Sequence, residues 1–194
     1  MATQRKSTRN APSSDEYLWS IERYHSAIER GTFTEADKLE LIEGKLYQKM
    51  GSNPPHATCL THLNFFFYKN YLSAYTIRSE NPITLPTLSE PEPDLVLAKL
   101  PTQNYAKRHP YPADIVLVVE VADATLQKDR TIKLPTYAKA GLPEYWIVNL
   151  VDRQLEIYTQ PRPDGTYAKA AFHAAGTLAE SPLIGEVAVD QFLP

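Results

Sequence analysis

PEPDLVLAKL at residues 91–100 and DIVLVVEVAD at residues 114–123 are two apolar runs, each with a carboxylate at one end. Asp94 stands at the entrance of the first and Glu120 near the exit of the second. Ile115, Val116, Leu117, Val118 and Val119 lead into Glu120 without a polar break, a length and β-branched composition that suit a buried strand. An unpaired charge is costly to bury, so Glu120 needs a basic side chain or a bound cation. If the two strands are neighbours, about 4.8 Å apart, Asp94 and Glu120 reach one hard divalent ion, which needs only one or two protein carboxylates. The plainer alternative is that Asp94 caps the turn after Pro93 and Glu120 pairs with a lysine.

Outward from these runs, TIRSENPITL at residues 76–85 reads as a third strand, and residues 101–112 as a polar loop. Upstream, Tyr17, Leu18, Ile21, Tyr24 and Ile28 recur at helical spacing and predict a helix over residues 15–30, with a break near Ser20 and an end at Gly31. KLELIEGKLYQKM at residues 38–50 reads as a β-hairpin with Glu43-Gly44 at its turn. Pro54-Pro55 open a long packing helix in which His56, Leu60, Leu63, Phe67 and Leu72 recur. Downstream, residues 124–141 predict a helix kinked at Pro135, which has no amide hydrogen to give. PEYWIVNL and RQLEIYTQP form a second hairpin, and two or three weaker strands follow Gly165. This order predicts an α/β (α+β) fold, a mixed central β-sheet flanked by helices with additional β-hairpins.

A chain of 194 residues suits one domain, taken as residues 15–194 after a disordered N-terminal tail of residues 1–14. Hydrophobic content of 43% and charged content of 22% are globular values. Nothing approaches the roughly 20 apolar residues of a membrane span, and the basic start lacks the apolar core of an export signal. A cytoplasmic protein without a membrane partner is expected. Cys59 is the only cysteine, which excludes an intramolecular disulfide and a cysteine-only metal cluster. A net charge of −3 and a pI near 6.0 weigh against a nucleic-acid binder. Against that, Lys99, Lys107, Arg108 and His109, then Lys128, Arg130, Lys133 and Lys139, flank the acidic positions on both sides, as a basic surface or simply a solvated one.

Asp129 and Lys133 lie one helical turn apart just after the Glu120 strand, with Tyr137 a further turn on. A lysine beside a metal stabilises charge on a phosphoryl group or positions the attacking water. Without a metal, Asp129 and Lys133 form an ordinary i, i+4 pair worth about 0.2–0.5 kcal/mol.

In order, ELIEGKLY, PPHATCLTHLNFFF, PEPDLVLAKL, VLVVEVADAT and KDRTIKLPTYAKAGLPEYWIVNL resemble the Uma-two family of bacterial restriction-endonuclease-like proteins, over residues 39–158. The joint occurrence of Pro93-Asp94, the run into Glu120-Val121, Asp129 with Lys133 and Tyr137, and GLPEYWIV carries the resemblance. It implies a PD-(D/E)XK nuclease core and cleavage of DNA, most simply double-stranded, by a homodimer using Mg²⁺ or Mn²⁺. It also implies that Asp94 and Glu120 bind the metal with Lys133 assisting. Glu43 matches an acidic position that completes the metal shell, with Glu40 as its alternative because a one-residue slip swaps strand faces. His56, Asp129 and Tyr137 are implied as accessory residues, His56 also reading as an ordinary helix-end histidine. One departure stands out: the position two after Glu120 is Ala122, not lysine, so the lysine role passes to Lys133 on the following helix.

Two other function classes fit the same residues. A non-catalytic interaction or nucleic-acid-binding module would keep the fold without the chemistry, in line with Ala122 and the acidic pI. A hydrolase of a small phosphoester would share the carboxylates but need an enclosed pocket. Tyr145, Trp146 and Tyr158 would form a dimer interface or, more simply for Trp146, pack in the core.

Overall fold

A computed structural model describes residues 16–194, and the expected tail of residues 1–14 lies outside them. Helix α1 (Ile21–Glu29) begins where a break was expected: the Ser20 side chain accepts the Arg23 amide hydrogen and caps it. The hairpin β1 (Leu39–Ile42) and β2 (Lys45–Gln48) follows, turning at Glu43 (φ 48) and Gly44 (φ 76). Two successive positive φ values match the twist of the paired strands. Helix α2 (Pro54–Tyr71) is capped by the Asn53 side chain, which accepts from the His56 amide.

The main sheet runs β3 (Tyr75–Ser79), β4 (Leu95–Lys99), β5 (Ile115–Ala122), β6 (Glu144–Asn149), β7 (Gln154–Pro161) and β8 (Tyr167–Ala174), in that spatial order. Every neighbouring pair is antiparallel except β5 and β6. A parallel pair needs a crossover, and residues 126–139 provide it. They form α3 (Leu126–Lys128), a wide π turn (Asp129–Lys133) and α4 (Leu134–Lys139), where sequence pattern alone predicts one kinked helix. Pro135 cannot donate to the carbonyl one helical turn before it, and the chain widens immediately upstream. A small hairpin, β9 (Leu178–Ser181) and β10 (Gly185–Ala188), ends the chain's strands.

Both faces of the sheet are covered. One packs Leu95, Leu97, Leu117, Val119 and Trp146 against Leu63 and Phe67 of α2 and against Phe192. The other packs Val96, Val118, Tyr145 and Ile147 against Tyr137, Leu142 and the loop residues Ile83 and Leu85. Tyr145, Trp146 and Tyr158 are core side chains, 0%, 0% and 8% exposed, which fits the simpler core reading of Trp146 and corrects the reading of Tyr145 and Tyr158 as an interface between copies. Within the sheet's covered faces Tyr145 stacks on Tyr158 and meets Tyr137 edge-on, while Trp146 packs at a tilt against Phe192. Among the described residues, no helix is long and apolar enough to cross a membrane.

Candidate functional site

Strand register places the two carboxylates. Leu95 pairs with Val119, so one further step sets Asp94 across from Glu120. Asp94 Oδ2 accepts the Val121 amide hydrogen at 2.7 Å and lies 3.3 Å from His56 Nε2, which the first turn of α2 supplies. The other His56 nitrogen is 3.0 Å from Ser52 Oγ. Glu120 shares its sheet face with Val118 and is 2% exposed. Its Oε1 accepts from the Tyr137 hydroxyl at 2.7 Å and lies 2.9 Å from Lys133 Nζ.

Lys133 gathers the group. Its ammonium also stands 3.6 Å from Glu40 Oε2 and 3.9 Å from Asp129 Oδ1. The π turn is what aims Asp129 and Lys133 inward, and both are buried. Glu40 further accepts from Lys128 Nζ at 2.6 Å and from the Glu92 amide. Asp129 Oδ2 is buried with no hydrogen-bond partner among the described residues. Of these polar and charged side chains, all except Tyr137 line one open cavity of about 560 Å³, with Lys49 and Glu92 paired at its side at 2.8 Å.

The electrostatics follow from four carboxylates around one buried ammonium. Burial pushes Glu120 up to about 8, aided by Asp94, Asp129 and Glu40 and opposed by Lys133. Burial likewise raises Asp129, again against Lys133. Burial alone would raise Asp94, but the His56 hydrogen bond and charge, Lys133 and the Val121 amide outweigh it and hold the carboxyl low. Burial opposes Glu40 too, and Lys133 with Lys128 bring it below its ordinary value. For Lys133, burial would favour the neutral amine, yet the surrounding carboxylates prevail and keep it charged. The hydrogen bond to Asp94 is the main cause that raises His56. Negative charge is in excess, and the deepest carboxylate, Glu120, is where a proton is held most readily.

Of the residues singled out by sequence, Asp94, Glu120, Lys133, His56, Asp129 and Tyr137 come together. Glu43 does not. As a hairpin-turn residue it points outward and pairs with Lys139 at 2.5 Å, while Glu40, inside the strand, faces the cavity. The flanking basic residues also divide: Lys128 joins the carboxylates, Arg130 binds Glu156, and Lys107, Arg108 and His109 line a separate cavity. Glu92 carries no site signal in sequence, and Lys128 stands out there only as one of the flanking basic residues; the hairpin's tertiary placement brings both to the cavity.

Oxygen donors and an orphaned buried carboxylate oxygen suit a hard divalent cation. Among the described residues, no three His, Cys, Asp or Glu side chains stand grouped as a metal cage. As they stand, Glu40, Glu120 and Asp129 contact the Lys133 ammonium, Glu40 contacts Lys128 as well, and Asp94 contacts His56.

Comparison with known proteins agrees with this architecture. The crystal structure of a "putative nuclease belonging to DUF820" from Anabaena variabilis superposes with a TM-score of 0.71 at 14% identity, covering 89% of this chain and 96% of that one. At that identity the likeness is one of fold. No curated protein matches the sequence. The family model described as "Uma2: Putative restriction endonuclease" matches residues 21–190, a span that contains every residue of the carboxylate group. The chain belongs to the Uma2 family.

Proposed function

We propose that the protein is a metal-dependent endonuclease that hydrolyses phosphodiester bonds of double-stranded DNA. The observation that carries this reading is the convergence of Asp94, Glu120 and Lys133 on one open cavity. Asp94 and Glu120 would hold Mg²⁺ or Mn²⁺, with Glu40 rather than Glu43 as the third carboxylate. When bound, such an ion supplies a water of lowered pKa and polarises the phosphoryl oxygen.

The chain's own residues supply the rest. Lys133, kept charged by its carboxylates, stabilises negative charge developing on the phosphate. Tyr137 donates to Glu120 and fixes its rotamer from the buried side. His56 orients Asp94 and, itself held by Ser52, lies at the cavity wall where it can accept or return a proton. Asp129 holds the far side of the Lys133 ammonium. In this reading residues 15–194 act as one unit built on a sheet covered on both faces, with a homodimer in the cytoplasm as the working form.

Incubation of supercoiled and linear duplex DNA with Mg²⁺ or Mn²⁺ tests the reading. Cleavage should fall by about 10²-fold or more in Asp94→Ala and in Glu120→Ala, the scale of losing a charge-stabilising group. Variants that cleave like the parent would remove the reading.

A second reading has its own observation. Lys133 already neutralises part of the carboxylate charge, as a retired site kept for binding would allow. Calorimetric titration with Mn²⁺ separates the two: heat that disappears in Glu120→Gln supports the enzyme, and no heat supports a non-catalytic binding module.

A further inference from the structure

Helix α1 borders two cavities. Tyr24 and Ile28 face the carboxylates, while Ile21, Glu22 and His25 line a second cavity of about 1010 Å³ on the other side. Its charge pattern is the reverse of the first. Arg78 on β3, set opposite Val96 of β4, sends its guanidinium to this cavity. Among the described residues the buried Arg78 Nε has no hydrogen-bond partner, and one terminal nitrogen makes only a 3.5 Å contact to Asn81 Oδ1. Burial pulls the Arg78 pKa down, and no carboxylate acts to restore it. A guanidinium that loses water without gaining a carboxylate is uncompensated.

The guanidinium of Arg108 and the buried carboxylate of Glu90 in this cavity already have partners, so neither compensates Arg78. Arg108 binds Asp114 at 2.6 Å and lies over the rings of Tyr105 and Tyr111, at 5.5 and 4.9 Å from their centroids. Arg78 lies over the Tyr105 ring as well, at 5.8 Å, so the phenol fixes both guanidinium groups. Glu90, the buried carboxylate here, has one oxygen 2.5 Å from His25 Nε2 and with the other accepts from the Thr84 hydroxyl at 2.9 Å. Glu22 is solvent-exposed at the edge. His109 stands in the same wall, held toward its neutral form first by burial, and Lys107 is exposed at the rim.

We propose that this second cavity is a binding site for a phosphate-bearing ligand of nucleotide size, its phosphate taken by Arg78 and His109. A single carboxylate would answer Arg78 alone; a phosphate dianion also answers Lys107 at the rim. The volume is that of a small-molecule site rather than an ion site. Half-exposed Leu88 and Tyr111 give the organic part an apolar surface. The same chemistry is offered by a free mononucleotide and by one nucleotide of a nucleic-acid strand. The site does not depend on the carboxylate cavity having nuclease activity.

The test is calorimetric titration of the full chain, in chelator so that the carboxylates bind no metal. The probes are inorganic phosphate, adenosine monophosphate, adenosine and a short single-stranded oligonucleotide. Adenosine monophosphate should saturate and adenosine should not. Arg78→Gln should weaken the nucleotide roughly tenfold or more, the loss expected for a charge-assisted hydrogen bond, while Arg78→Lys keeps part of the affinity. An oligonucleotide that binds far more tightly than the mononucleotide, and loses that gain in Arg78→Gln, assigns the phosphate to a strand. Equal affinities assign it to the free nucleotide. No saturation with any phosphate probe, or unchanged affinity in Arg78→Gln, overturns the proposal. Should Arg78→Gln fail the thermal-melt check of folding, the Arg78 Nε–H resonance of the parent protein answers the same question. It shifts on addition of adenosine monophosphate, or the site is not there.

Discussion

Two buried charge clusters lie on the sheet, one around Glu120 of β5 and one around Glu156 of β7, and they satisfy their charge in opposite ways. Around Glu156, which is 0% exposed, one carboxylate receives several donors: Arg130 through two nitrogens, Asn149, Gln154 and the Tyr158 hydroxyl. Around Glu120 the ratio is inverted, with four carboxylates around the buried ammonium of Lys133. The first cluster is satisfied from within and holds the β6–β7 hairpin together. The second carries surplus negative charge and opens to solvent through its cavity. A polar network satisfied from within is a structural device, and one short of cations is where a ligand ion or a reacting group belongs.

Removing the cation from each cluster should expose that difference. Lys133→Met leaves buried carboxylates without their central partner and should cost about 3–5 kcal/mol, the scale of breaking a buried pair. Arg130→Met leaves Glu156 with Asn149, Gln154 and Tyr158 still donating, so about 1–3 kcal/mol is expected. Urea unfolding midpoints of the two variants measure this. Equal costs would mean that the Lys133 cluster is no more strained than the other, and the contrast would lose its physical basis.

The central carboxylates, Glu120 and Glu156, should also respond to pH with opposite signs. Glu120 has a folded pKa raised to about 8 from an ordinary value of 4.5, so it binds its proton more tightly folded than unfolded. Its contribution is present below about 4.5 and is lost as pH rises through 8. Glu156 is lowered: burial resists, but Arg130, Tyr158, Asn149 and Gln154 prevail. Its contribution is present above the ordinary 4.5 and is lost as pH falls through its lower folded value. Melting temperatures in chelator should therefore drop between about pH 5 and 8 in the parent protein and stay flatter in Glu120→Gln. A Glu120→Gln variant with the parent's full alkaline loss would show that the raised carboxyl lies elsewhere.

Much of this arrangement is legible in the residues. The apolar runs at β4, β5, β6 and β7 are long enough for strand character to be unmistakable, and the proline-opened α2 likewise. Asp94 and Glu120 stand out because each interrupts or borders such a run. The site's third wall is legible only as a choice between Glu43 and Glu40. β1 has only four residues, too few for a period-two pattern to say which face is buried, and Glu40 between Leu39 and Leu41 looks like an ordinary outward residue. In fact β1 is covered on both sides because Leu41 bridges Glu90 and the hairpin lies over the cavity. The π turn was equally hidden: Pro135 signals a disturbance but not whether the helix kinks or widens. Lysines near acidic residues carry no direction of their own; the resemblance singles out Lys133, and the fold separates it from Lys139, which pairs with Glu43 instead.

That separation yields the smallest expected effect. Glu43 and Lys139 form an ion pair with side chains 42% and 36% exposed, well outside the group around Lys133. Water screens such a pair and its two long side chains lose entropy in forming it, so Glu43→Gln should change stability by no more than about 0.2–1 kcal/mol. The substitution leaves the turn's backbone demand unchanged, since both residues meet the same positive φ at position 43. Mn²⁺ heat, if the parent protein gives any, should be the same in Glu43→Gln and reduced in Glu40→Gln. The reverse result would mean that the hairpin turn folds onto the carboxylates when a cation binds, and would return Glu43 to the metal shell in place of Glu40.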